Sequence, residues 1–210
     1  MADPIKPREI AAILKEYSIS IADGTTHKIQ KYLELMNTWG RKMPLTSIQN
    51  PEQVVRFHFG ESMFALALED ISNGRLADLG SGAGFPGLAL KLARPSPSVT
   101  LIESNKKKCA FLQEVIRSLD IHGAKVMASG FESSLIAPNS LSFVTCRALA
   151  QHSKVVDWAR ERLAPGGSVI LWLGEKDCEE VAATGGWEWS QPALIPGTRG
   201  RFILRGKPKR

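Results

Sequence analysis

The sequence predicts an α/β fold in which a mostly parallel, doubly wound sheet follows a helical N-terminal segment. Two observations predict it. From residue 75 onward, short apolar runs alternate with amphipathic stretches, the pattern of parallel strands joined by helices. Before residue 73, apolar residues recur at helical spacing. We therefore expect a helical cap over residues 1–72 and an α/β domain over residues 73–210.

The cap is expected to contain three helices. Apolar residues at helical spacing predict one helix around residues 10–17 and a second over residues 25–43. Asn50 and Pro51 predict the start of a third, because asparagine caps helix N-termini and proline fits the first helical position. This third helix should continue to about residue 67.

The α/β domain begins after Asn73-Gly74, a turn signal. Strands are expected at residues 75–78, 99–102, 125–128, 141–146 and 168–173, and helices at residues 85–93, 105–119, 150–163 and 177–183. Two further strands, at residues 187–191 and 202–205, have no long helix between them. They should therefore form an antiparallel hairpin at one edge of the sheet.

Composition excludes several classes of protein. Hydrophobic residues make up 43% and charged residues 23% of the chain, close to globular averages. No stretch approaches the ~20 apolar residues of a membrane span, and the N-terminus lacks the apolar core of a signal peptide. The three cysteines are widely spaced and form neither a disulfide framework nor a metal-binding pair. We therefore expect a cytoplasmic protein with no metal site.

Basic residues are concentrated at one end of the chain. Residues 199–210 contain six of the 27 basic residues and no acid, and the others equal the 21 acidic residues in number. A basic patch indicates a partner that carries phosphate. A solubilising tail is the alternative.

The strongest local signal is the glycine-rich segment Asp78-Leu-Gly80-Ser-Gly82-Ala-Gly84-Phe-Pro-Gly87. It follows the first predicted strand and opens a helix. Glycines there let the backbone approach a ligand closely, and free amides at the helix start favour negative charge. In an open α/β sheet, this edge is where ligands bind.

Three interpretations of this loop remain open. The spacing from Gly82 to Gly87 fits the dinucleotide fingerprint, whereas the spacing from Asp78 to Gly84 fits S-adenosylmethionine (AdoMet) binding. The AdoMet pattern is favoured because it starts directly after the strand, and Asp78 would lie near the cationic amino group of AdoMet, directly or through water. Glu103, at the end of the next strand, could bind the ribose hydroxyls of either ligand. A purely structural turn is the third interpretation.

The fourth strand lacks a feature of enzymes that methylate exocyclic amines. Those enzymes commonly end this strand in Asn or Asp followed by two prolines and an aromatic residue. Here it ends in Thr-Cys-Arg-Ala-Leu, with Arg147 in that place. Arg147 is therefore a candidate functional residue, and a salt bridge at a strand end is the alternative.

Several segments, taken together and in this order, resemble one family, the bacterial small-subunit ribosomal RNA guanine-N7 methyltransferases (RsmG, also called GidB). The resemblance runs from about residue 25 to the end of the sequence. The segments that carry it are Trp39-Gly-Arg-Lys-Met-Pro-Leu-Thr-Ser47, His58 to Ser62, Asp78 to Gly87, Ile102-Glu-Ser104, Lys107-Lys-Cys-Ala-Phe-Leu112, Cys146-Arg-Ala148 and Arg201-Phe-Ile-Leu204.

The resemblance implies a class I AdoMet-dependent methyltransferase, with a Rossmann-like, seven-stranded sheet and a helical cap. It implies methylation of N7 of one guanine in a conserved loop of 16S rRNA, on the small ribosomal subunit. By motif, Gly80 and Phe85 line the AdoMet site, and Phe131 and Glu132 flank the adenine. Arg147 corresponds to the functional arginine beside cofactor and substrate.

The resemblance also implies residues that contact RNA. Arg201 corresponds to the C-terminal arginine of the family, and Lys107 and Lys108 correspond to its basic pair. Lysines at a helix N-terminus oppose the helix dipole, which favours a phosphate contact over a structural role.

The sequence departs from the family in three places. A basic residue is usual before the adenine-flanking pair, where this chain has Gly130. The usual Leu-Lys-Gly after the fifth strand is Trp-Leu-Gly, so the lysine is replaced by Leu173; Lys176 is a candidate substitute. The usual Leu-Asp-Ser of the cap is replaced by a segment containing Glu61. These departures concern RNA contacts more than cofactor binding.

Three other functions are weighed against this reading. A nicotinamide-dependent oxidoreductase would need a catalytic set such as Tyr-x-x-x-Lys, which the sequence lacks. A non-catalytic RNA-binding or assembly protein would not need the intact loop with its two acids. An AdoMet methyltransferase with another substrate is disfavoured by the basic C-terminal segment. We expect a monomer, because no apolar seam or repeat indicates self-association.

Overall fold

The computed structural model describes residues 5–22, 24–147 and 151–209. The helices of the cap are α1 (Pro7–Glu16), α2 (Thr25–Gly40) and a third helical segment, α3, over residues 51–67. The other helices are α4 (Gly87–Ala93), α5 (Lys106–Ser118), α6 (His152–Arg162) and α7 (Glu175–Ala182). The strands are β1 (Arg75–Leu79), β2 (Ser98–Glu103), β3 (Ala124–Ala128), β4 (Leu141–Arg147), β5 (Leu163–Gly174), β6 (Trp187–Trp189), β7 (Ala193–Leu194) and β8 (Arg201–Pro208).

The strands described form one mixed sheet in the order β3-β2-β1-β4-β5-β8-β6, and β7 pairs with the free part of β8. Strands β1 to β5 are parallel, and the β8 contacts with β5, β6 and β7 are antiparallel. The predicted mostly parallel, doubly wound sheet is confirmed. The chain order reverses between β1 and β4, which is where open α/β sheets bind their ligands.

The predicted antiparallel pair at one edge of the sheet is confirmed: β8 pairs with β6, and β6 is the edge strand. Two details of the strands were not predicted. The short strand β7 was not predicted, and β5 begins earlier, with Leu163 opposite Leu141. The start of the predicted helix over residues 150–163 lies outside the described residues, and α6 is described from His152.

The third helix of the cap starts as predicted but does not wind uniformly. The Asn50 side chain accepts a hydrogen bond from the Gln53 amide at 3.0 Å, and Pro51 is the first helical residue. The helix is an α-helix over Pro51–Val54, opens into a π-helix over Val55–Gly60, and returns to α over Glu61–Met63 before a final 3-10 turn. Such wide turns are frequent at functional sites.

Two apolar clusters cover the two faces of the sheet. On one face, the cap helices and helices α4 and α5 share a single cluster, so the core runs across the predicted boundary at residue 72. On the other face, α6 and α7 pack against the sheet. The division of the chain into two domains stays a prediction. No helix in the described part of the chain is both long and apolar enough to cross a bilayer.

The basic C-terminal segment does not form one patch. Within β8, Arg201 lies opposite Gly174 at the carboxyl end of β5, whereas Gly206 lies opposite Val169. A strand rises about 3.3 Å per residue, so Lys207 lies roughly 20 Å from Arg201. Only the start of β8 therefore lies at the ligand-binding edge of the sheet.

Candidate functional site

The glycine loop leaves β1 at the switch point of the sheet. Gly80, Gly82 and Gly84 have φ values of 65°, 56° and 91°, a region that other residues rarely adopt. A Cβ built on Gly82 would meet only the Gly80 carbonyl oxygen, at 3.8 Å. The backbone at Gly82 therefore faces open space, in which a ligand can approach the main chain closely.

Asp78 lies beneath this loop and is fully buried. Its carboxylate accepts hydrogen bonds from the Thr145 hydroxyl at 2.7 Å and from the Gly87 amide at 3.1 Å. Burial raises the pKa of this carboxyl to about 6. The contacts described show Asp78 joining β1, β4 and the start of α4; its predicted contact with the amino group of AdoMet stays a prediction.

Glu103 lies at the carboxyl end of β2, beside the loop. One carboxylate oxygen accepts a hydrogen bond from the Gly82 amide at 2.8 Å, and the other accepts one from the Asn105 amide at 2.8 Å. Each oxygen has a second lone pair. Glu103 is therefore oriented by the backbone and can still accept hydrogen bonds from a pair of hydroxyl groups.

The cap orders the glycine loop from the other side. The buried Tyr32 hydroxyl of α2 donates a hydrogen bond to the Ala83 carbonyl at 2.6 Å. Its ring stacks on Phe85, with ring centroids 5.7 Å apart. Phe85 is 8% exposed and also stacks against His58, at 4.9 Å. Sequence reasoning missed Tyr32, because a tyrosine in an amphipathic helix carries no signal of its target.

The loop after β3 lies next to Glu103, because Ala128 pairs with Glu103 in the sheet. Phe131 is half-buried and contacts Trp158 edge to face, and Glu132 is exposed. The Ser129 hydroxyl is buried and has no hydrogen-bond partner among the described residues. An unsatisfied hydroxyl at this position fits a bound polar group, and sequence reasoning missed it. The adenine-flanking role of Phe131 and Glu132 stays a prediction.

Arg147 ends β4 next to the start of the glycine loop, because Cys146 pairs with Leu79 in the sheet. Its Nη2 donates to the Phe57 carbonyl at 2.9 Å and to the Glu61 carboxylate at 3.0 Å. Burial lowers the pKa of Arg147, and the charge of Glu61 partly offsets this. The salt bridge that was the alternative reading is therefore present. Ala148, the next residue of the motif, lies outside the described residues.

Glu61 is the charged residue that sequence reasoning noticed only as a departure from the family. It is 1% exposed, and its second carboxylate oxygen lies 2.8 Å from Nη2 of Arg201. Its main-chain carbonyl accepts a hydrogen bond from the Trp172 indole at 2.8 Å. Burial raises the pKa of Glu61, and the charges of Arg147 and Arg201 oppose that rise. One buried carboxylate thus joins the two arginines that the sequence singled out.

His58 lies in the wide turn of α3, beside these arginines. Its Nε2 is 2.7 Å from the Thr46 hydroxyl. Burial, together with the charges of Arg147 and Arg201, lowers the pKa of His58 to about 4. His58 is therefore neutral at pH 7 and joins the cap to the loop at Phe85.

A cavity of about 230 Å³ lies over the carboxyl ends of β4 and β5. Its walls include Arg147, Arg201 and Glu61 together with Leu173. Lys176 is exposed and is not among the residues that line the cavity, so its predicted contact with RNA stays a prediction. Among the described residues, no group of three or more acidic, His or Cys side chains is placed to hold a metal ion.

Lys107 and Lys108 lie in the first turn of α5, directly after the segment that carries Glu103. The Asn105 side chain caps this helix by accepting hydrogen bonds from both lysine amides, at 3.0 and 3.2 Å. Lys107 is exposed and Lys108 is half-buried. The lysines therefore lie at the ligand-binding edge of the sheet, and their contact with RNA stays a prediction.

Solved structures with the same fold include a ribosomal protein L11 methylase from Lactobacillus delbrueckii (TM-score 0.62, 14% identity, covering 80% of this chain and 83% of that one). Another is a SAM-dependent methyltransferase from Aquifex aeolicus (TM-score 0.63, 13% identity, covering 77% of this chain and 95% of that one). These likenesses show the class I methyltransferase fold, and the glycine loop after β1 and the acid at the end of β2 lie at the edge where open α/β sheets bind their ligands.

The sequence narrows this class to one family. The family described as rRNA small subunit methyltransferase G matches residues 25–188. A protein of Xanthomonas axonopodis pv. citri named ribosomal RNA small subunit methyltransferase G is 37% identical over 178 residues, covering 83% of this chain and 82% of that one. A Stenotrophomonas maltophilia protein of the same name is 32% identical over 210 residues and 97% of each chain. The chain belongs to the rRNA small subunit methyltransferase G family.

Proposed function

We propose that the protein transfers the methyl group of AdoMet to N7 of one guanine in a loop of 16S rRNA, within the small ribosomal subunit. The observation that carries the proposal is an arginine-lined cavity directly beside the glycine loop. The two lie over neighbouring strands, so a cofactor on the loop and a base in the cavity would meet at the end of β4. Membership of the family supports rRNA as the substrate.

The residues around the glycine loop fit AdoMet. When bound, AdoMet supplies an electrophilic methyl group on a sulfonium ion. We propose that Glu103 accepts hydrogen bonds from the ribose hydroxyls and that the backbone at Gly80 and Gly82 lies against the ligand. Phe131 and Glu132 would flank the adenine. Asp78 would contribute indirectly, because its hydrogen bonds to Gly87 and Thr145 keep the loop in place for the ligand.

The chemistry at N7 requires little of acidic or basic side chains. Guanine N7 has a lone pair and no proton to lose, so no general base is needed. Catalysis then comes mainly from holding the two reactants in line, which can contribute up to ~7–11 kcal/mol. Arg147, at the junction of loop and cavity, is the residue that we propose to contact the base. A buried, neutral His58 is not required to move a proton.

RNA recognition would use the basic groups at the same edge of the sheet. We propose that Arg201, Lys107, Lys108 and Lys176 contact phosphates around the target. The guanine must leave its stack to enter the cavity, which is less costly in a single-stranded loop. All these groups belong to one chain, so a monomer would be sufficient. A reaction on ribosomal subunits would take place in the cytoplasm.

Methyl transfer from labelled AdoMet tests the proposal. Small ribosomal subunits that lack their own N7 methylation, and the free RNA, would serve as substrates, and chemical cleavage at N7-methylguanine would map the product. We expect one methylated guanine. Incorporation elsewhere would indicate an AdoMet methyltransferase with another substrate. AdoMet binding without any incorporation would indicate a non-catalytic RNA-binding or assembly protein.

A further inference from the structure

The bonds that Arg147 makes within the protein limit the bonds that it can offer to a substrate. A guanidinium group has two edges with paired donors, Nε with Nη2 and Nη1 with Nη2. Both edges include Nη2. Both N–H groups of Nη2 are used here, one by the Phe57 carbonyl at 2.9 Å and one by the Glu61 carboxylate at 3.0 Å. Arg147 therefore has no free pair of donors on either edge.

This limit matters for a guanine substrate. The most common arginine contact with guanine is a bidentate one, in which paired donors bind O6 and N7. In a reaction at N7, that contact would engage the lone pair that must attack the methyl group. An arginine beside the reacting base is compatible with the reaction only when none of its donors binds N7.

Glu61 is held firmly enough to keep Arg147 in this state. It is 1% exposed, and its other carboxylate oxygen lies 2.8 Å from Nη2 of Arg201. Its main chain is bonded to the Trp172 indole on β5. The contact with Arg201 is an ion pair without hydrogen-bond geometry, and moving the carboxylate away would leave the buried Arg147 without its counter-charge.

We propose, on the basis of the function proposed above, that Glu61 is a positioning residue that prevents Arg147 from forming the bidentate contact with O6 and N7. Arg147 then donates one hydrogen bond to O6 of the base, either from Nε or from Nη1, which makes only a long contact of 3.5 Å with the Ser62 hydroxyl. The N7 lone pair stays free, and the base is still recognised by a cation. Glu61 thus lets Arg147 recognise the guanine at O6 while N7, the nucleophilic atom, stays free.

The variant Glu61→Gln tests this role, because it replaces the ionic bond to Nη2 with a weaker neutral one and so lets the base compete for a pair of donors on Arg147. We expect kcat to fall by about tenfold or more, the worth of a good bidentate contact, while KM for small subunits stays the same or falls. Glu69→Gln is the matched control, since Glu69 also joins the cap to β8, through Arg205 at 3.2 Å, and does not line the cavity. An unchanged kcat, or a raised KM alone, in Glu61→Gln would overturn the proposal.

A second measurement needs only the wild-type protein and so does not depend on the variant folding. Subunits with 7-deazaguanine at the mapped target position lack the N7 acceptor and act as competitive inhibitors. We expect wild type to bind them within about twofold of unmodified subunits, because the bidentate contact, worth about 1–3 kcal/mol, is absent. A preference for guanine of about tenfold would show that N7 accepts a hydrogen bond in the complex and would overturn the proposal.

The two proposals can fail separately. Wild type that methylates no guanine would overturn the proposed function. Wild type that methylates N7, together with a Glu61→Gln variant of unchanged kcat, would overturn only the role of Glu61. Thermal unfolding and AdoMet binding of Glu61→Gln would distinguish a lost contact from a lost fold.

Discussion

Burial affects three side chains around the cavity in different ways. It lowers the pKa of His58 to about 4, so this imidazole stays neutral at physiological pH. It also lowers the pKa of Arg147 and raises that of Glu61, but these two groups lie 3.0 Å apart and stabilise each other's charge. The cluster therefore combines a neutral histidine with a compensated ion pair.

His58 predicts a specific dependence of stability on pH. Its pKa is about 4 in the folded state and about 6.5 when unfolded, so the unfolded state binds the proton first and stability falls as pH drops from 6.5 to 4. His58→Gln should remove about 1–2 kcal/mol of the loss between pH 7 and pH 5. Urea unfolding of both proteins at the two pH values checks this.

Asp78 also makes the stability of the protein depend on pH, in the direction opposite to His58. Its pKa is raised to about 6, so the folded state holds this proton more tightly and stability rises as pH falls from 6 towards 3.8. Wild type and His58→Gln share this contribution, and their difference isolates His58. Parallel pH profiles for the two proteins would contradict the buried, neutral histidine.

Arg147→Ala should abolish methyl transfer and also destabilise the fold. The structure pairs Arg147 with a buried carboxylate that would then have only Arg201. We expect a loss of about 2–3 kcal/mol, less than the 3–5 kcal/mol of a fully broken buried pair. Denaturant unfolding and a methyl-transfer assay measure the two effects.

The double variant Arg147→Ala with Glu61→Gln is the control for this loss. It removes the uncompensated charge and should recover most of the stability, but not the activity. Activity retained in Arg147→Ala would remove Arg147 from the catalytic site. Stability equal to that of wild type would show that Glu61 does not depend on this partner.

Sequence predicted Arg147 but not its partner, for a physical reason. The end of a strand in a parallel sheet is a known place for functional residues, so Arg147 is identifiable from its position. Glu61 lies in a helix that periodicity predicts to be regular. The π turn over Val55–Gly60 changes which side chains face the sheet, and its widening depends on packing against the rest of the protein. Spacing along the chain therefore gives no indication of the contact.

Gly82 of the glycine loop can be compared with Gly166 of β5, because both have a positive φ that other residues rarely adopt. Gly82 and Gly166 have positive φ values of 56° and 79°, and no contact closer than 3.8 Å would be made by a Cβ on either. Alanine at each position should cost about 1–2 kcal/mol of stability through backbone strain. Only Gly82→Ala should also lose AdoMet affinity, because its Cβ would point into the ligand space. Calorimetric titration with AdoMet measures this difference.

Gly166→Ala serves as the control for strain, since Gly166 is exposed at the start of β5. Equal AdoMet affinity in the two variants, after correction for stability, would place the ligand away from Gly82. Loss of affinity in both would attribute the effect to the fold as a whole.

The alternation of strands and helices was enough to predict β1 to β5 and their parallel arrangement, because helices follow β1, β2 and β4 and leave a clear change of period; the connection from β3 to β4 has no helix. The place of β8 was not predictable in this way. An antiparallel strand can join either edge or insert between two others without changing its own pattern. The insertion is fixed by the pairing of Trp172 with Ile203 and of Glu188 with Lys207, which are contacts distant in sequence.

The distribution of charge over the molecule gives a prediction for RNA binding. Lys107 and Lys108 lie at the ligand-binding edge, whereas the end of β8 lies towards the opposite edge. Replacing both lysines with glutamine should reduce the slope of log K against log[salt] for RNA binding by about 1.4, at ~0.7 per phosphate contact. Binding measured over a range of salt concentrations checks this.

Arg75→Gln is the matched control, because Arg75 is exposed at the amino end of β1, the opposite edge of the sheet. The slope of log K against log[salt] for RNA binding should be the same in Arg75→Gln as in wild type. An unchanged slope in the double lysine variant would remove these lysines from the RNA interface, and an equal change in Arg75→Gln would indicate a diffuse contribution of net charge.

The cap and the sheet behave as one packed body on one face. Tyr32 holds the glycine loop, Glu61 joins both arginines, and Glu69 pairs with Arg205 of β8. Composition could predict a helical cap but not this mutual dependence, because the contacts join residues more than 50 positions apart in the chain. The glycine loop and the cavity both depend on the cap, because Tyr32 bonds the loop and Glu61 lines the cavity.

The position of β8 between β5 and β6 also determines when the cavity can be completed during synthesis of the chain. This strand is translated after every other strand of the sheet, yet it separates β5 from β6 and supplies the arginines that meet Glu61 and Glu69. In a nascent chain that has released only the segments up to β7, the edge of β5 is unpaired, Glu61 has Arg147 but not Arg201, and Glu69 lacks Arg205. The cavity is therefore complete only once β8, the last of these strands to be synthesised, has joined the sheet.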